Sequence, residues 1–241
     1  MRTAIVVPCY RHAGSLPDLL PVLERYGLPV IIADDGNEEP VAEVLARDCP
    51  GSRAQVIRLE QNSGKGAAVH AGFLWARELG CTHALQIDAD GQQDPGTVPR
   101  MLELARSHPG DLIAGSPVYR NIPPGRFLAR YITHFWVALE LGRCSLVDSM
   151  CGIRVYPLDP ACRILEHRPV GRHMGFDTEI MIRMYWAGCG IVQCPVAVSY
   201  PAGGISNFRM FRDNLELSWC HARLCTEKIL HYPAVRGRHY L

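Results

Sequence analysis

Short apolar runs alternate along the first half of the chain with segments in which apolar residues recur at helical spacing. The runs are rich in Val and Ile and cover residues 4–7, 30–33, 55–59, 84–87 and 112–114. Runs of this length and composition predict β-strands, and the intervening periodic segments predict helices. Regular alternation of the two predicts an α/β fold with a mostly parallel sheet.

Two helix starts carry a recognisable signal. Ser15 precedes the apolar positions Leu16, Leu19 and Leu20, and Asp94 with Pro95 precedes another apolar stripe. Ser and Asp are common N-caps, and Pro is common in the first helical turn. The alternation fades after about residue 116, and we expect one domain over residues 1–241 made of two halves, 1–115 and 116–241.

Composition excludes several classes of protein. The 241 residues contain 25 Lys and Arg against 24 Asp and Glu, and 48% are hydrophobic. A net charge of +1 excludes a disordered acidic tail and a generally basic nucleic-acid binder. The ten cysteines form no CxxC pair, which favours free thiols in a reducing compartment. We find no signal-peptide pattern and no transmembrane stretch, and expect a cytoplasmic protein that is soluble or peripherally attached to a membrane.

Polar residues follow four of the predicted strands. They are Tyr10 after the first strand, Asp34-Asp35-Gly36 after the second, 62–66 after the third and 88–92 after the fourth. Ligands of open parallel sheets bind outside the carboxyl ends of the strands. One site at this edge can therefore use all four segments.

The Gly64-Lys65-Gly66 turn has two interpretations. It is not a phosphate-binding P-loop, because Gly66 stands where that motif needs Ser or Thr and its first glycine is missing. The turn is either a helix N-terminus from which Lys65 approaches an anionic group, or a plain turn whose glycines allow close packing.

Asp88 and Asp90 are separated by one residue after an apolar run, and Gln92 follows them. Carboxylate and amide oxygens in this arrangement indicate a site for Mg²⁺ or Mn²⁺, with remaining ligands from substrate phosphates. A strand followed by DxDG also opens the haloacid-dehalogenase phosphatases, in which the first Asp is the nucleophile. That alternative is disfavoured, because Asp34 and Asp35 lie upstream of the motif rather than downstream.

The ordered set of motifs resembles glycosyltransferase family 2, and more narrowly its dolichyl- or polyprenyl-phosphate mannosyltransferase branch. The residues that carry the resemblance are 5–10, 32–36, 62–68, 86–92, 148–154 and 175–179. Each motif is weak by itself, but their order is specific, and together they cover nearly the whole chain.

The resemblance implies a GT-A fold, with a Rossmann-like, mostly parallel sheet flanked by helices and a C-terminal helical portion on the acceptor side. It implies that residues 1–115 bind a UDP- or GDP-sugar and that 116–241 bind the acceptor. By similarity, Pro8 and Tyr10 line the base pocket, and Asp34 and Asp35 hold the base or ribose. Asp88, Asp90 and Gln92 hold the metal ion on the diphosphate.

Transfer with inversion needs an acceptor oxygen and usually a carboxylate that takes its proton. The resemblance places Asp177 in that role, with Glu179 and Asp148 as reserves. Two alternatives remain open: Asp177 is a helix N-cap, or the acceptor is a phosphate that needs no base. Arg154 meets a phosphate or carboxylate, or forms a structural ion pair.

The Gly-rich segment 201–209 suits a flap over the diphosphate, with Ser206 and Arg209 as donor contacts.

The later segments bear on the acceptor. A helical stripe predicts either core packing or a face on a membrane surface or lipid tail; it consists of Leu128, Tyr131, Ile132, Phe135, Trp136 and Leu139. From Phe208 onward six basic residues face three acidic ones, which favours either an anionic membrane or lipid phosphate, or a solvated helix face.

We therefore expect a metal-dependent glycosyltransferase with a lipid-type acceptor, either a polyprenyl phosphate or the hydroxyl of a glycolipid or polyene lipid, in cell-envelope or glycolipid biosynthesis. A non-catalytic nucleotide-sugar-binding subunit is the remaining alternative.

Overall fold

The computed structural model describes residues 1–119, 124–142, 147–199 and 210–230. These residues contain one seven-stranded sheet. Its strands are β1 Thr3–Cys9, β2 Val30–Asp34, β3 Gln55–Arg58, β4 His83–Gln86, β5 Leu112–Tyr119, β6 Arg154–Pro157 and β7 Ile191–Val198. The five strands expected from the apolar runs are all present, and their ends differ from the predicted ones by at most five residues.

Eight α-helices surround the sheet in the described part of the chain. They are α1 Leu16–Glu24, α2 Val41–Asp48, α3 Lys65–Glu78, α4 Val98–Ser107, α5 Pro124–Leu141, α6 Leu158–His167, α7 Phe176–Trp186 and α8 Met210–Leu230. The order of strands and helices is that of an α/β fold with helices on both faces of the sheet.

The strand order in the sheet is β3-β2-β1-β4-β6-β5-β7. Neighbouring strands are parallel except at β6, which is antiparallel to both β4 and β5. The mostly parallel sheet expected from the sequence is therefore confirmed. Strands from both predicted halves lie in it, because β6 of the second half pairs directly with β4 of the first.

Alternate residues of β1 serve two separate cores. Ala4 and Val6 pack in the core beneath α3, α6 and α7, whereas Ile5 and Val7 pack in the core beneath α1 and α4. Successive side chains of a strand point to opposite faces. A strand covered on both faces therefore shows the continuous apolar run that the sequence has here.

One of the two predicted helix caps is confirmed. Asp94 accepts a hydrogen bond from the Gly96 N–H at 2.9 Å and caps a 3₁₀ turn, Pro95–Thr97, that leads into α4. The Ser15 side chain makes no capping hydrogen bond, because a 3₁₀ turn at Ala13–Ser15 precedes α1 and leaves Ser15 in a helical conformation. A residue with helical φ and ψ does not present its side chain to the next amides as an N-cap does.

The core prediction for the α5 stripe is wrong for its described C-terminal part. Phe135 and Leu139 are exposed, and Val137, Glu140 and Leu141 are buried instead. Glu140 can be buried on this side because its carboxylate accepts a hydrogen bond from His221 of α8 at 2.8 Å. The side chains of Leu128, Tyr131 and Ile132 lie outside those described.

The cysteines described in the structure are all free, as expected. Seven of these nine thiols are buried and two are partly exposed, and Cys144 lies outside the described residues. Among the helices that the structure describes, none has both the length and the apolar character required to cross a bilayer.

The glycines of the Gly64-Lys65-Gly66 turn allow close packing. The Gly66 N–H donates to the Arg172 carbonyl at 2.7 Å, and a Cβ on Gly64 would lie 2.4 Å from that same oxygen. Gly64 also has a φ of +94°, which side chains rarely tolerate. The first turn of α3 is thus packed on the segment that precedes α7, as the packing interpretation of this turn requires.

We predict that Gly64→Ala lowers the free energy of unfolding by about 1–3 kcal/mol more than Gly51→Ala does. Gly51 has a nearly equal φ of +97° but no atom within 4 Å of an added Cβ. Both variants carry the cost of the left-handed backbone, and only Gly64→Ala adds a clash with main-chain atoms. Urea unfolding of the two variants measures the difference, and equal losses of stability would contradict the packing role of Gly64.

Candidate active site

The polar residues expected at the strand ends gather at one edge of the sheet. Asp34 ends β2, Asp88 follows β4, and Lys65 begins α3. Asp177 comes to the same edge from α7 of the second half, because its carboxylate contacts Lys65. Four segments that are distant in sequence thus meet at the carboxyl ends of parallel strands.

The Lys65 ammonium joins two carboxylates. Its Nζ lies 2.7 Å from Asp88 Oδ1 and 2.6 Å from Asp177 Oδ2. Burial opposes the charge on Lys65, but the two carboxylates outweigh this effect and raise its pKa well above the ordinary value. Lys65 therefore stays charged and holds Asp88 and Asp177 on either side of one cation. Contact of Lys65 with a donor phosphate stays a prediction.

Asp88 is held from two more directions. Gln93 accepts a hydrogen bond from the Asp88 N–H at 3.1 Å and donates one to Asp88 Oδ2 at 2.9 Å. Burial disfavours the carboxylate, but Lys65 and the Gln93 hydrogen bond lower its pKa below the ordinary value. The start of β6 also approaches closely, since a Cβ on Gly152 would lie 2.0 Å from Asp88 Oδ2. Asp88 therefore has one well-defined position.

Asp90 differs from Asp88 in its partners. Its Oδ1 accepts a hydrogen bond from the Gln92 N–H at 3.0 Å, and within the described part of the chain it forms no ion pair. Burial and the nearby charge of Asp88 raise the pKa of Asp90. A partly buried carboxylate that forms no close ion pair and lies beside a second carboxylate is a favourable environment for a hard divalent ion.

The chain alone supplies only part of a metal site. Within the described residues no group of three or more His, Cys, Asp or Glu side chains is arranged to hold a metal ion. Asp88 and Asp90 nevertheless fit Mg²⁺ or Mn²⁺, which keep several water ligands and take others from substrate phosphates. Gln92 lies beside them with its side chain partly exposed, and its role as a ligand stays a prediction.

Asp177 is not a helix N-cap. Gly175 holds that position in α7, and the Asp177 carboxylate binds Lys65 through Oδ2 and accepts a hydrogen bond from Gln86 Nε2 through Oδ1 at 3.0 Å. Gln86 is fully buried at the end of β4. The orientation of Asp177 is therefore fixed by two side chains of the first half of the protein.

Arg154 organises the layer beneath these carboxylates. Its guanidinium is fully buried and donates to the backbone carbonyls of Cys151 at 2.9 Å, of Ser149 at 2.6 Å and of Asp177. The five N–H donors of arginine suit such a cluster of acceptors. Arg154 therefore has a structural role, but its hydrogen-bond partners are main-chain oxygens and not the carboxylate of the expected ion pair.

The two reserve carboxylates have structural partners. Glu179 is fully buried and accepts hydrogen bonds from Arg183 at 2.7 Å, from the Gly171 N–H at 2.9 Å and from Arg223. Asp148 accepts from two backbone N–H groups and lies 3.6 Å from His134 Nε2. Burial raises the pKa of Asp148 despite those amide hydrogen bonds. Asp177 is therefore the acidic group of this set that faces Lys65 and Asp88.

Asp34 and Asp35 are both occupied by local hydrogen bonds. Asp34 accepts from the Asn37 side chain, the Val41 N–H and Arg58, and so ties β2 to β3 and α2. Asp35 accepts from the N–H groups of Ser63 at 2.7 Å and Gly64 at 3.0 Å. Burial raises the pKa of Asp35, and these two amides partly offset the effect. Contacts of either carboxylate with a base or ribose stay predictions.

The remaining predicted donor residues lie at the same edge or outside the described residues. Pro8 is buried in β1 beside Ala33 of β2, and Tyr10 follows β1 with the Arg11 guanidinium 5.2 Å from its ring centre. Ser206 and Arg209 lie outside the described residues. The assignment of all four to donor binding stays a prediction.

Three residues of the site were not predicted as functional. Gln86 and Gln93 orient the two carboxylates that Lys65 joins, and Gly152 leaves room for Asp88. The sequence did give a signal for Gln86, because a polar glutamine near the end of an apolar strand points to a role at the strand end. Gly152 lies in the segment 148–154 that carries the family resemblance, but its contact with Asp88 joins two distant segments and had no signal of its own. The hydrogen bonds between Gln93 and Asp88 depend on the fold of the short loop that joins them.

Two relatives of known activity align with most of the chain. The undecaprenyl-phosphate mannosyltransferase of Micrococcus luteus is 29% identical over 210 residues, which are 81% of this chain and 83% of that protein. The polyprenol monophosphomannose synthase of Mycolicibacterium smegmatis is 26% identical over 216 residues, which are 85% of this chain and 80% of that protein.

A solved structure shares the fold. The glucosyl-3-phosphoglycerate synthase of Mycobacterium tuberculosis, crystallised with Mn²⁺, uridine diphosphate and glucosyl-3-phosphoglycerate, superposes with a TM-score of 0.69 at 16% identity. The match covers 93% of this chain and 80% of the other. The seven-stranded sheet and its helices therefore form a GT-A glycosyltransferase fold.

A match to a family model identifies the family of the chain. Residues 4–165 match the model described as glycosyl transferase family 2. The matched range includes the four strand-end segments that form the site, together with Gly152 and Arg154. The dehalogenase alternative is therefore wrong, and the chain is a glycosyltransferase that belongs to glycosyltransferase family 2.

Proposed function

We propose that the chain transfers a sugar, with inversion and with the help of Mg²⁺ or Mn²⁺, from a UDP- or GDP-sugar to a lipid-type acceptor. The observation that carries the proposal is the position of Asp88, Asp90 and Asp177 around Lys65 at the carboxyl edge of the sheet. Two of these carboxylates suit the metal-diphosphate end of a donor, and the third suits an acceptor.

The donor side is formed by the first half of the protein. Asp88 and Asp90 would hold the divalent ion, which when bound stabilises the negative charge on the departing nucleoside diphosphate. Gln93 and Lys65 keep Asp88 oriented before the donor arrives. Mn²⁺ and UDP in the crystallised Mycobacterium tuberculosis enzyme support a nucleotide and a metal ion at this edge of the fold.

The acceptor side contains the proposed base. Inversion requires the acceptor oxygen to attack the sugar from the face opposite the leaving diphosphate. A hydroxyl acceptor loses a proton in this step, and Asp177 would take it. Lys65 and Gln86 hold the Asp177 carboxylate in one orientation, so little rearrangement is needed for proton transfer.

The lipid character of the acceptor is supported by the relatives. Those from Micrococcus luteus and Mycolicibacterium smegmatis are named for transfer of mannose to undecaprenyl phosphate and for synthesis of polyprenol monophosphomannose. We extend a polyprenyl-phosphate or lipid-hydroxyl acceptor to this chain, with peripheral contact to the cytoplasmic face of a membrane.

Thermal unfolding with UDP and GDP, each with and without Mn²⁺, tests the donor side. A nucleotide at about 100 times its Kd adds about 2.7 kcal/mol of stability, which raises Tm by several degrees in a chain of this size. We expect one nucleotide to give this rise only when Mn²⁺ is present. Absence of metal-dependent stabilisation by both nucleotides would contradict the proposal.

We predict that Asp177→Asn lowers kcat for transfer to a lipid hydroxyl by about 10²–10⁴-fold, because the amide cannot take the proton. Radiolabelled sugar transfer measures the change. Asp159→Asn is the control, since Asp159 is an exposed carboxylate on α6 that pairs only with the neighbouring Arg163 among the described residues. Unimpaired transfer to the true acceptor by Asp177→Asn would show that Asp177 is not the base.

We predict that Gly152→Ala weakens Mn²⁺-dependent nucleotide binding by at least tenfold. The new methyl group would lie 2.0 Å from Asp88 Oδ2 and would force that carboxylate to move. Gly110→Ala is the matched control, because nothing lies within 4 Å of its added Cβ and its φ is not positive. Calorimetric titration of both variants makes the comparison, and equal affinities would remove Asp88 from the proposed metal site.

A further inference from the structure

The charges of α8 are arranged in an unusual way. Over residues 214–230, where side chains of α8 are described, no exposed position is charged. The exposed positions are Asn214, Leu215, Ser218, Trp219, Ala222, Thr226, Ile229 and Leu230. A surface helix of a globular protein normally has its apolar stripe on the core and its charges in solvent.

The charged side chains of this part of α8 turn toward the protein. Glu227 accepts two hydrogen bonds from Arg183 at 3.0 Å, and Arg223 donates to Glu179 and to the Pro169 carbonyl. Lys228 donates to the Leu139 carbonyl at 2.7 Å. The interpretation of the late charged segment as a solvated face is therefore wrong for these residues. Ion pairs attach α8 to α7, and over residues 214–230 the opposite side of the helix has no charged side chain.

That opposite side carries large apolar groups. We define the α8 outer face as Leu215, Trp219, Ile229 and Leu230, whose exposed fractions are 64, 71, 77 and 70%. Isolated exposed apolar residues are common, but four on one side of a helix whose described side chains include no exposed charge are not.

Helix α5 extends the same surface. His221 of α8 stacks on Trp136 of α5 with ring centres 6.0 Å apart, which places the two helices side by side. On a helix of 100° per residue, Leu215 lies about 120° from His221 and Trp219 about 160° from it. On α5, Phe135 and Leu139 lie about a quarter turn from the side that faces α8, toward the same side of the helix pair as Leu215 and Trp219. Both are exposed. The exposed apolar residues of both helices therefore share one side of the pair.

We propose that the α8 outer face, together with Phe135 and Leu139, rests on the surface of an anionic lipid bilayer. The proposal deepens the lipid-acceptor function and rests on it for its purpose. Bulky aliphatic and Trp side chains on one side of a helix are the groups that enter the boundary between headgroups and acyl chains. The absence of exposed charge in the described part of α8 lowers the cost of removing this side from water.

Charge complementarity favours an anionic bilayer over a protein partner. The sequence that follows α8, residues 231–241, contains Arg236 and Arg238 and no Asp or Glu. Each basic residue near an anionic membrane contributes about 1 kcal/mol of attraction. A stable protein interface instead carries a rim of polar and charged groups around its apolar centre, and the exposed positions of α8 lack such charges in the described residues.

The position of α8 relative to the site gives this surface a purpose. A Cβ added to Gly175, the N-cap of α7, would lie 3.5 Å from Cys220 Cβ, and Glu216 Oε1 accepts a hydrogen bond at 3.5 Å from the Gly175 N–H. Asp177 follows two residues later. The thickness of one helix, on the order of 10 Å, thus separates the α8 outer face from the segment that carries the proposed base. An acceptor headgroup at the bilayer surface would have a short path to Asp177.

Vesicle flotation of the full chain tests the proposal. We expect the wild-type chain to bind phosphatidylglycerol-containing vesicles and the double variant Leu215→Ser/Trp219→Ser to bind at least tenfold more weakly. The matched control is Leu74→Ser/Trp75→Ser, which removes the same two residue types from exposed positions of α3 and is expected to bind as the wild type does. Equal binding by the two double variants would overturn the proposal.

Two further measurements separate the remaining outcomes. Brominated lipids should quench the fluorescence of the wild-type chain more than that of Trp219→Phe, which keeps the face apolar. Equal quenching of the wild-type chain and Trp219→Phe would overturn the bilayer contact. Equal binding of the wild-type chain to phosphatidylcholine and to phosphatidylglycerol-containing vesicles would overturn the preference for an anionic bilayer. A wild-type dimer that Leu215→Ser/Trp219→Ser converts to a monomer would show that the face joins two copies of the chain instead.

The nucleotide experiment distinguishes failure of this inference from failure of the proposed function. A wild-type chain that is stabilised by a nucleotide with Mn²⁺ but does not float with vesicles would overturn the bilayer contact alone. A chain that floats with vesicles but responds to neither nucleotide would overturn the proposed function alone.

Discussion

The contact of one ammonium with two carboxylates is the interaction on which the rest of the site depends. Lys65 Nζ lies within 2.7 Å of both Asp88 and Asp177. Two carboxylates this close, in a partly buried place, repel each other, and burial costs each of them several kcal/mol. A cation between them offsets this repulsion. Since Asp88 follows β4 and Asp177 belongs to α7, the same cation joins the two halves of the sequence.

Buried polar groups beneath Lys65, Asp88 and Asp177 fix the orientation of the two carboxylates. Gln86 and Gln93 each fix one carboxylate, and Arg154 holds the loop before β6 together with the start of α7 through three carbonyls. Groups that are oriented before the substrate arrives need no reorganisation during the reaction. The antiparallel strand β6 is the element that makes this possible, because it brings both Gly152 and Arg154 alongside Asp88.

The regular features of the fold could be predicted from the sequence, and the exceptions have physical causes. Strands β1, β2 and β4 could be predicted from the sequence because they are buried on both faces and overlap apolar runs. Strand β6 was not predicted because it begins with Arg154 and ends with Pro157, which leaves only two apolar positions between them. The rule that ligands bind at strand ends indicated Asp88 and Asp90, whereas Asp177 was identified through family resemblance. Partners such as Gln93 are visible only in three dimensions. The α5 stripe was a poor guide because the buried side of that helix combines the apolar Val137 and Leu141 with Glu140, a charged residue whose partner, His221, lies on another helix.

Helix α8 shows that a chain of near-zero net charge can still place its charged and its exposed apolar side chains on different sides of one helix. Its acidic and basic side chains pair with α7 and its loop, so they contribute nothing to the exposed side that was expected to be charged. Buried ion pairs give little net stability but penalise any rotation of the helix that would leave a charge unpaired. Rotation of α8 would bring Leu215 and Trp219 inward and Glu227 outward, away from Arg183. The ion pairs therefore determine which side of α8 faces outward, and through Gly175 they relate that side to the segment that bears Asp177.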